Sequence, residues 1–117
     1  MHLFNKKEVL TLKIDSEIYN IPYSDINFID KCKGEEWSLI HTKEKVFKCK
    51  NTLIYFEKIL KNDLRFFKTH RSCIVNLNNI FKINKDESII YFNNEYTEYL
   101  SRNHKKELLN YFAKKTV

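Results

Sequence analysis

The sequence predicts a mostly β fold, an antiparallel arrangement of about ten short strands with one or two short helices. Short segments that alternate apolar and polar residues follow one another at nearly regular spacing, separated by turn-forming residues. Only two segments show the three- and four-residue apolar spacing of a helix. No repeat, low-complexity tract or linker rich in Pro, Gly or Ser is visible, so we expect residues 1–117 to form a single domain.

The N-terminal half is predicted to form strands joined by short turns. Residues 8–15 alternate apolar and polar side chains, and a turn near Asp15–Ser16 leads into a second strand. Pro22 ends that strand because proline donates no backbone hydrogen bond. Ser24 is expected to cap a single helical turn. Three further strands are predicted at 26–32, 37–41 and 45–49.

The C-terminal half contains both predicted helices. Asn51 is expected to cap a first helix from Thr52 to about Leu60, and Ser101 a last helix over residues 102–114. The last helix is expected to pack inward through its apolar residues Leu108, Leu109 and Phe112. Between the helices, strands are predicted at 80–84, 88–92 and 95–100, with turns at 77–79, 85–87 and 93–94.

The charge of the chain is positive and unevenly distributed. Lys and Arg number 21 against 15 Asp and Glu, for a net charge of +6 and a pI near 9.2. Residues 1–56 hold nine basic and eight acidic residues, whereas residues 57–117 hold 12 and seven. A basic balance favours a polyanionic partner, although many proteins are mildly basic without one.

Cysteine usage and hydropathy indicate the compartment. Cys32, Cys49 and Cys73 are odd in number and lack a C-x-x-C pair, which favours reduced thiols. The segment Met1–Lys7 has no apolar signal core, and no apolar run approaches the ~18 residues that span a membrane. We therefore expect a cytoplasmic protein with no membrane partner.

Catalytic and metal-binding functions find little support. Acidic residues stand singly or in turns rather than as the pair that acid–base catalysis needs. His70 and Cys73 form only a weak metal-ligand spacing, and in an extended segment they point to opposite faces. Gly34 is the one glycine, which excludes a glycine-rich phosphate loop. We expect no catalytic residue, metal, cofactor or small-molecule substrate.

The segment Arg65–Leu77 carries the strongest functional signal. Phe66–Phe67 and Ile74–Val75 are apolar anchors, and Cys73 is expected beside them in the core. Every residue between the anchors can donate hydrogen bonds from its side chain: Lys68, Thr69, His70, Arg71 and Ser72. A polar stretch held at a fixed place on the surface suits contacts with phosphates and base edges. A short edge strand with a solvated turn is an equally weighted alternative.

Two other clusters complement this segment. Residues 101–106 lie at the start of the last helix, where free N–H groups and the helix dipole favour phosphate, although a solvated basic face is the simpler alternative. The loop from Lys31 to Trp37 contains Lys33 but also Glu35 and Glu36, which makes it a poorer phosphate partner. A plain hairpin tip is the simpler interpretation of that loop.

Three blocks of sequence, taken in order, resemble the LytTR family of bacterial DNA-binding domains. They are Ile21–Ile29, Phe66–Leu77 followed by Ile80, and Leu100–Leu108, and the resemblance extends from about Val9 to Phe112. It implies a mostly antiparallel β fold that binds double-stranded DNA at promoter direct repeats, through loops that enter successive major grooves. It also implies a response-regulator output domain, acting below a receiver domain and a sensor kinase, commonly on virulence genes. No receiver domain is present in the sequence, which leaves an excised output domain and a free-standing regulator as alternatives.

Carried over by position, the resemblance implies contacts with bases from His70 and Arg71, and from Arg102 or Asn103. Glu36 stands where some members of the family have a basic residue or His, so Lys33 or Trp37 is the substitute there. Asn76 is expected to be a structural turn former. The complete set of expected DNA-binding residues is His70, Arg71, Ser72, Arg102, Asn103, Lys68, Lys105, Lys106 and Lys33.

Two other classes of function remain as alternatives. Exposed Tyr and Phe side chains would make the chain a protein-interaction β domain without nucleic-acid binding. An RNA-binding function would need exposed aromatic residues for base stacking, for which Tyr96 and Tyr99 are available. A strand pair buried against the last helix is the simpler explanation of those two tyrosines.

Overall fold

The computed structural model of the chain describes residues 8–97 and 100–117. The described residues form ten strands and two helices, which confirms the predicted mostly β class. The strands are β1 (Val9–Ile14), β2 (Glu17–Pro22), β3 (Ile26–Lys31), β4 (Ser38–Thr42), β5 (Val46–Cys49), β6 (Phe66–His70), β7 (Cys73–Asn76), β8 (Lys82–Asn84), β9 (Ile89–Tyr91) and β10 (Tyr96–Thr97). The helices are α1 (Leu53–Leu60) and α2 (Arg102–Ala113).

All strand pairs are antiparallel and form three sheets. The central sheet has the order β5-β4-β3-β7-β6, a second sheet is the hairpin β1-β2, and a third has the order β10-β9-β8. In the first hairpin, Asp15 has φ 56°, the left-handed conformation that a tight turn requires and that Asp tolerates. The central strand β3 is buried at four consecutive positions, 26–29, because both faces of the central sheet are covered.

Each face of the central sheet has its own core. Ile29 and Ile74, which are register partners, pack with α1 and the β1-β2 hairpin. Phe28 and Val75, also partners, pack on the other face with α2 and the third sheet. Side chains of a strand alternate between faces, so β3 and β7 supply both cores at once. Cys73 is 1% exposed in the second core, as predicted.

The caps of the helices differ from the predictions. Thr52, not Asn51, caps α1, and its hydroxyl accepts a hydrogen bond from the Tyr55 N–H at 3.3 Å. The carbonyl of Asn51 accepts from the Ser38 hydroxyl at 2.8 Å, which holds Asn51 against β4 one residue before the cap. Ser24 does not cap its turn: the 3-10 turn Tyr23–Asp25 follows Pro22.

The third sheet is shorter than predicted. The Ile80 N–H bonds back to the Leu77 carbonyl at 3.4 Å, which closes the 3-10 turn Leu77–Asn79 and delays the start of β8. In the strand predicted at 95–100, β10 covers only Tyr96–Thr97, and residues 98–99 lie outside the described residues. Tyr96 is 59% exposed, so the prediction that it is buried against the last helix is wrong. The same prediction for Tyr99 falls outside the described residues.

Asn76 is a structural residue, as predicted. Its side chain is fully buried and donates to the carbonyls of Tyr23 and Ile26, each at 3.0 Å. Its amide oxygen accepts from the Asn78 N–H at 3.0 Å and so begins the following turn. Asn76 therefore joins the end of β7 to the start of β3.

Candidate nucleic-acid interface

Three loops meet at one end of the central sheet. They are the β3–β4 loop (residues 32–37), the β6–β7 turn (residues 71–72) and the start of α2. The Lys31 N–H donates to the Ser72 carbonyl at 3.0 Å, and the Ser101 N–H donates to the Thr69 carbonyl at 2.8 Å. These main-chain hydrogen bonds fix the loops side by side. We call this end the cationic edge; it comprises Lys31, Lys33, His70, Arg71, Ser72, Arg102 and Asn103.

The β6–β7 turn depends on a bulge. Lys68 pairs with Ile74 and His70 with Cys73, so Thr69 is the extra residue that has no partner in β7. Its carbonyl is therefore available to the backbone N–H of Ser101. The bulge thus makes the junction between β6 and the start of α2.

Arg71 lies at the tip of this turn. Its side chain is exposed, and within residues 8–97 and 100–117 its guanidinium group has no ion pair or hydrogen bond. His70 is half-buried, and its Nδ1 accepts from the Ser72 N–H at 3.1 Å. That bond places the proton of a neutral ring on Nε2, which makes this nitrogen a donor. The turn therefore presents an unpaired arginine beside an ordered histidine.

The start of α2 is the second arginine-bearing loop. Ser101 precedes the helix as predicted, but its hydroxyl does not cap the backbone; it lies 2.6 Å from His104 Nδ1. The His104 ring in turn meets Phe67 edge-on at 6.2 Å, which seats the helix on β6. Arg102 and Asn103 are exposed, and the first turn contains no acidic residue. A cation at a helix N-terminus opposes the helix dipole, so an external anion would be stabilised there.

The β3–β4 loop is tied to β3 and β5 by ion pairs of its two glutamates. Gly34 has φ +80°, the left-handed conformation that this turn requires. Glu35 pairs with Lys48 at 3.0 Å, and the hydrogen bond from Lys48 lowers the pKa of the Glu35 carboxyl. The Lys48 ammonium also lies 4.9 Å from the centre of the Trp37 ring, so Trp37 is already engaged. Lys33 is exposed and has no partner among the described residues.

Three predicted lysines lie outside the cationic edge. The Lys68 ammonium donates to Glu57 on α1 at 2.7 Å, and the Lys105 ammonium to the Ser88 hydroxyl at 3.0 Å. Both would have to exchange these contacts for a phosphate. Lys106 is exposed, without a described partner, and lies one helical turn after Arg102 on the same face of α2.

A cleft beside Arg71 was not predicted. It measures about 340 Å³ and separates the cationic edge from the start of α1, with Lys31 and Thr52 on its two sides. The position of Lys31, directly before the polar loop, could have indicated from the sequence that this lysine belongs to the interface. Nothing in the sequence indicated that α1 begins next to the β6–β7 turn.

A largely buried histidine lies below the cationic edge. His41 on β4 contacts Asp30 through Nε2 at 2.9 Å and Glu95 through Nδ1 at 3.1 Å, and its ring stacks on Phe28 at 4.0 Å. Burial lowers the pKa of His41, but the hydrogen bond and charge of Asp30, with those of Glu95, outweigh it and raise the pKa. The His41 ring thus joins the central sheet to the β9–β10 turn.

The buried cysteine of the second core is not a reactive thiol. Burial raises the pKa of Cys73 to about 12, so its thiol stays protonated and is a poor nucleophile. The described residues include no group of three His, Cys, Asp or Glu arranged to hold a metal ion. Among the same residues, neither helix has the length and hydropathy required to cross a membrane.

Comparisons with known proteins identify relatives. The model of the LytTr DNA-binding domain family matches residues 16–113. Accessory gene regulator A of Staphylococcus aureus strain Mu50 is 32% identical over 104 residues, which are 88% of this chain and 42% of that protein. Accessory gene regulator protein A of Staphylococcus epidermidis is 29% identical over 87 residues, 74% of this chain and 35% of its own length. The chain thus spans less than half the length of these relatives.

A solved structure has the same fold. It is the LytTr DNA-binding domain of a putative methyl-accepting/DNA response regulator from Bacillus cereus. The TM-score is 0.68 at 26% sequence identity, and the match covers 92% of this chain and 94% of that one.

Proposed function

The chain belongs to the LytTR family of DNA-binding domains, and from this premise we propose that the cationic edge is the surface that binds double-stranded DNA sequence-specifically. The family is one of DNA-binding domains of transcription regulators rather than of enzymes. The observation that supports this surface most is the main-chain hydrogen bond from Ser101 to Thr69, which holds the Arg71 turn next to the Arg102 helix start.

The chemistry of the edge suits a duplex. Arg71 and Arg102 carry planar donors that match a guanine edge or a phosphate in two-point contacts. The His70 ring and the Asn103 amide add groups that can form hydrogen bonds with base edges. Lys33 supplies a positive charge from the neighbouring loop. Arginines without an internal ion pair lose only water when they bind DNA, whereas paired ones must first give up a carboxylate.

Phosphate contacts would surround these base contacts. Ser72 and Lys106 are candidate donors for these contacts, and Lys68 and Lys105 would join them by exchanging their internal partners. Contacts of this kind position the protein on the duplex and depend on salt, but they carry no sequence information. The two classes of residue can therefore be separated by experiment.

The similarity to longer relatives supports a proposal about the whole regulator. Because the chain covers only 42% of the Staphylococcus aureus protein, we extend the proposal to a longer regulator with an upstream receiver domain and a sensor kinase. Promoter direct repeats, control of virulence genes and a cytoplasmic location belong to the same proposal. Within that regulator, residues 1–117 would be one output domain.

A binding titration tests the proposal. A duplex is first selected from a random pool by the wild-type chain, and its affinity is compared with that of a scrambled duplex by fluorescence anisotropy. Arg71→Ala should weaken binding to the selected duplex by ~1–3 kcal/mol and leave the scrambled one nearly unchanged. Lys61→Ala, at the far end of α1, is the matched control and should change neither affinity. Equal affinity of the wild-type chain for both duplexes would refute sequence specificity.

A further inference from the structure

A groove lies at the opposite end of α2 from the cationic edge. It measures about 490 Å³ and runs between β8 and the last turns of the helix. Its apolar wall is formed by Ile80, Ile83, Leu109 and Phe112. Arg102 and Ala113, the two ends of α2, are ~16 Å apart along the helix axis, so the groove and the cationic edge are separate surfaces of the helix.

The groove follows the edge of a sheet. Residues 80–83 all line it, although successive side chains of an extended segment point to opposite faces. A groove that touches all four positions therefore runs beside the strand, not over one face. Among the described strands, β8 pairs only with β9, so its other edge is open. An open edge offers backbone N–H and C=O groups to an added strand.

The surroundings of the groove combine basic and apolar groups. Lys82 and Lys85 line it, and none of the acidic residues that the structure describes does. Lys82 is fixed with its ammonium 4.3 Å from the centre of the Tyr91 ring. The neighbouring Phe81 is 71% exposed, which is unusual for so large an apolar side chain. Asp86 and Glu87 lie in the following turn, outside the groove.

The groove has both lysines and apolar side chains, which distinguishes it from the cationic edge. The arginine-bearing loops of the edge expose polar and charged groups, as a duplex requires. DNA in the groove would neutralise Lys82 and Lys85 but leave Phe81 and the apolar wall uncovered. A protein segment that carries both carboxylates and apolar side chains would cover both kinds of group.

We propose that the groove between β8 and α2 binds an extended segment of a partner protein in which acidic and apolar residues alternate. The backbone of the segment pairs with the open edge of β8. Its apolar side chains pack on Phe81, Ile83 and Leu109, and its carboxylates reach Lys82 and Lys85. The proposal goes beyond DNA binding, since the partner and the duplex would occupy opposite ends of α2.

A peptide selection tests this proposal. Random 12-residue peptides are displayed and selected on the wild-type chain, and the enriched sequences are measured by anisotropy as labelled synthetic peptides. Enriched peptides should alternate acidic and apolar residues. The double variant Lys82→Glu/Lys85→Glu should bind them at least about tenfold more weakly, because two attractive charge contacts become repulsive. Arg71→Ala should bind them as the wild type does.

Two further variants complete the design. Ala113→Trp fills the groove without changing charge and should also abolish binding, and it should do so at high salt as well. Lys58→Glu/Lys61→Glu reverses two exposed lysines on α1 as a matched control and should leave peptide binding intact. Thermal melts of each variant establish that the fold is retained.

Four results would contradict the proposal. They are the absence of any enriched sequence family, peptides that bind Lys82→Glu/Lys85→Glu as tightly as the wild type, peptides lost in Arg71→Ala, and duplex binding that falls as much in Lys82→Glu/Lys85→Glu as in Arg71→Ala. The last would assign the groove to the DNA surface. Because peptide binding is measured without DNA, its failure is separable from failure of the proposed DNA interface.

Discussion

The two ends of β6 carry arginines in opposite circumstances. At its start, Arg65 is fixed by Asp63, with Nε–Oδ1 and Nη2–Oδ2 distances of 3.0 and 2.8 Å, and its guanidinium group lies over Tyr23. The hydrogen bonds raise the pKa of Arg65 and lower that of Asp63. At the end of the same strand, Arg71 is exposed and has no partner among the described residues. The first arginine stabilises the fold, and the second is available to a ligand.

The largest effect is expected at Asn76, the register partner of Phe66 at the start of β6. Asn76→Ala should lower the free energy of unfolding by ~3 kcal/mol, because the Tyr23 carbonyl and the Asn78 N–H lose their hydrogen bonds to this side chain. The Ile26 carbonyl loses one hydrogen bond but keeps the one from the Asn79 amide. Urea denaturation measures the change. Below the unfolding transition, the ratio of affinities for selected and scrambled duplexes should not change. A changed ratio would mean that this end of β6 takes part in DNA recognition.

The second largest effect is expected at Arg65, and it distinguishes the structural role of Arg65 from the binding role proposed for Arg71. Arg65→Ala should lower the free energy of unfolding by ~2 kcal/mol, since a charged, mostly buried pair loses its two-point hydrogen bond. Arg71→Ala, the matched control, should change it by less than ~0.5 kcal/mol. Thermal unfolding and DNA anisotropy on the same samples give both quantities. If Arg65→Ala reduced specific DNA binding while stability was unaffected, the division of roles would be reversed.

A third, pH-dependent difference concerns the core below the cationic edge. The folded-state pKa of His41 is raised, so its contribution to stability is complete below the ordinary pKa of 6.5 and is lost as pH rises through the folded value. The free energy of unfolding should therefore decline above pH 6.5, and His41→Gln should remove that part of the decline. Urea titrations from about pH 5.5 to about pH 8.5 would test this. An unchanged slope in His41→Gln would exclude the protonated bridge to Asp30 and Glu95.

The smallest effect is expected for a phosphate contact. Lys106→Ala should weaken binding to selected and scrambled duplexes alike and reduce the slope of log affinity against log salt by about one. Lys61→Ala provides the comparison for loss of a lysine elsewhere. Titrations at several salt concentrations would show the change. A loss confined to the selected duplex would instead assign Lys106 a contact with a base.

Much of the fold could be predicted because its signals are local. Alternation of apolar residues placed β1, and the polar stretch between Phe67 and Ile74 placed the β6–β7 turn. Cap positions were harder to predict, since Asn51 and Thr52 are both capping residues and only the contact of Asn51 with Ser38 selects between them. The short strands after residue 80 depend on turns that the periodicity does not show.

The composition of the interface could be predicted, but not which cations are available. Basic residues recur from Arg65 to Arg71. Some of the predicted DNA-binding lysines form hydrogen bonds within the protein, with partners that lie elsewhere in the chain. Glu57, the partner of Lys68, is 11 residues away, and Ser88, the partner of Lys105, is 17 away. The family resemblance indicated Arg71 and Arg102 as contact residues. That their loops lie side by side was visible only in the structure, from the hydrogen bond between residues 69 and 101.

The most direct test of the cationic edge is an NMR titration of the 15N-labelled chain with the selected duplex. We expect the largest changes in amide shifts to occur together at residues 33, 70–72 and 102–103, while the amides of Arg65 and Lys82 stay nearly unchanged. Changes centred on Arg65 or on β8, or confined to one of the three loops, would contradict this expectation.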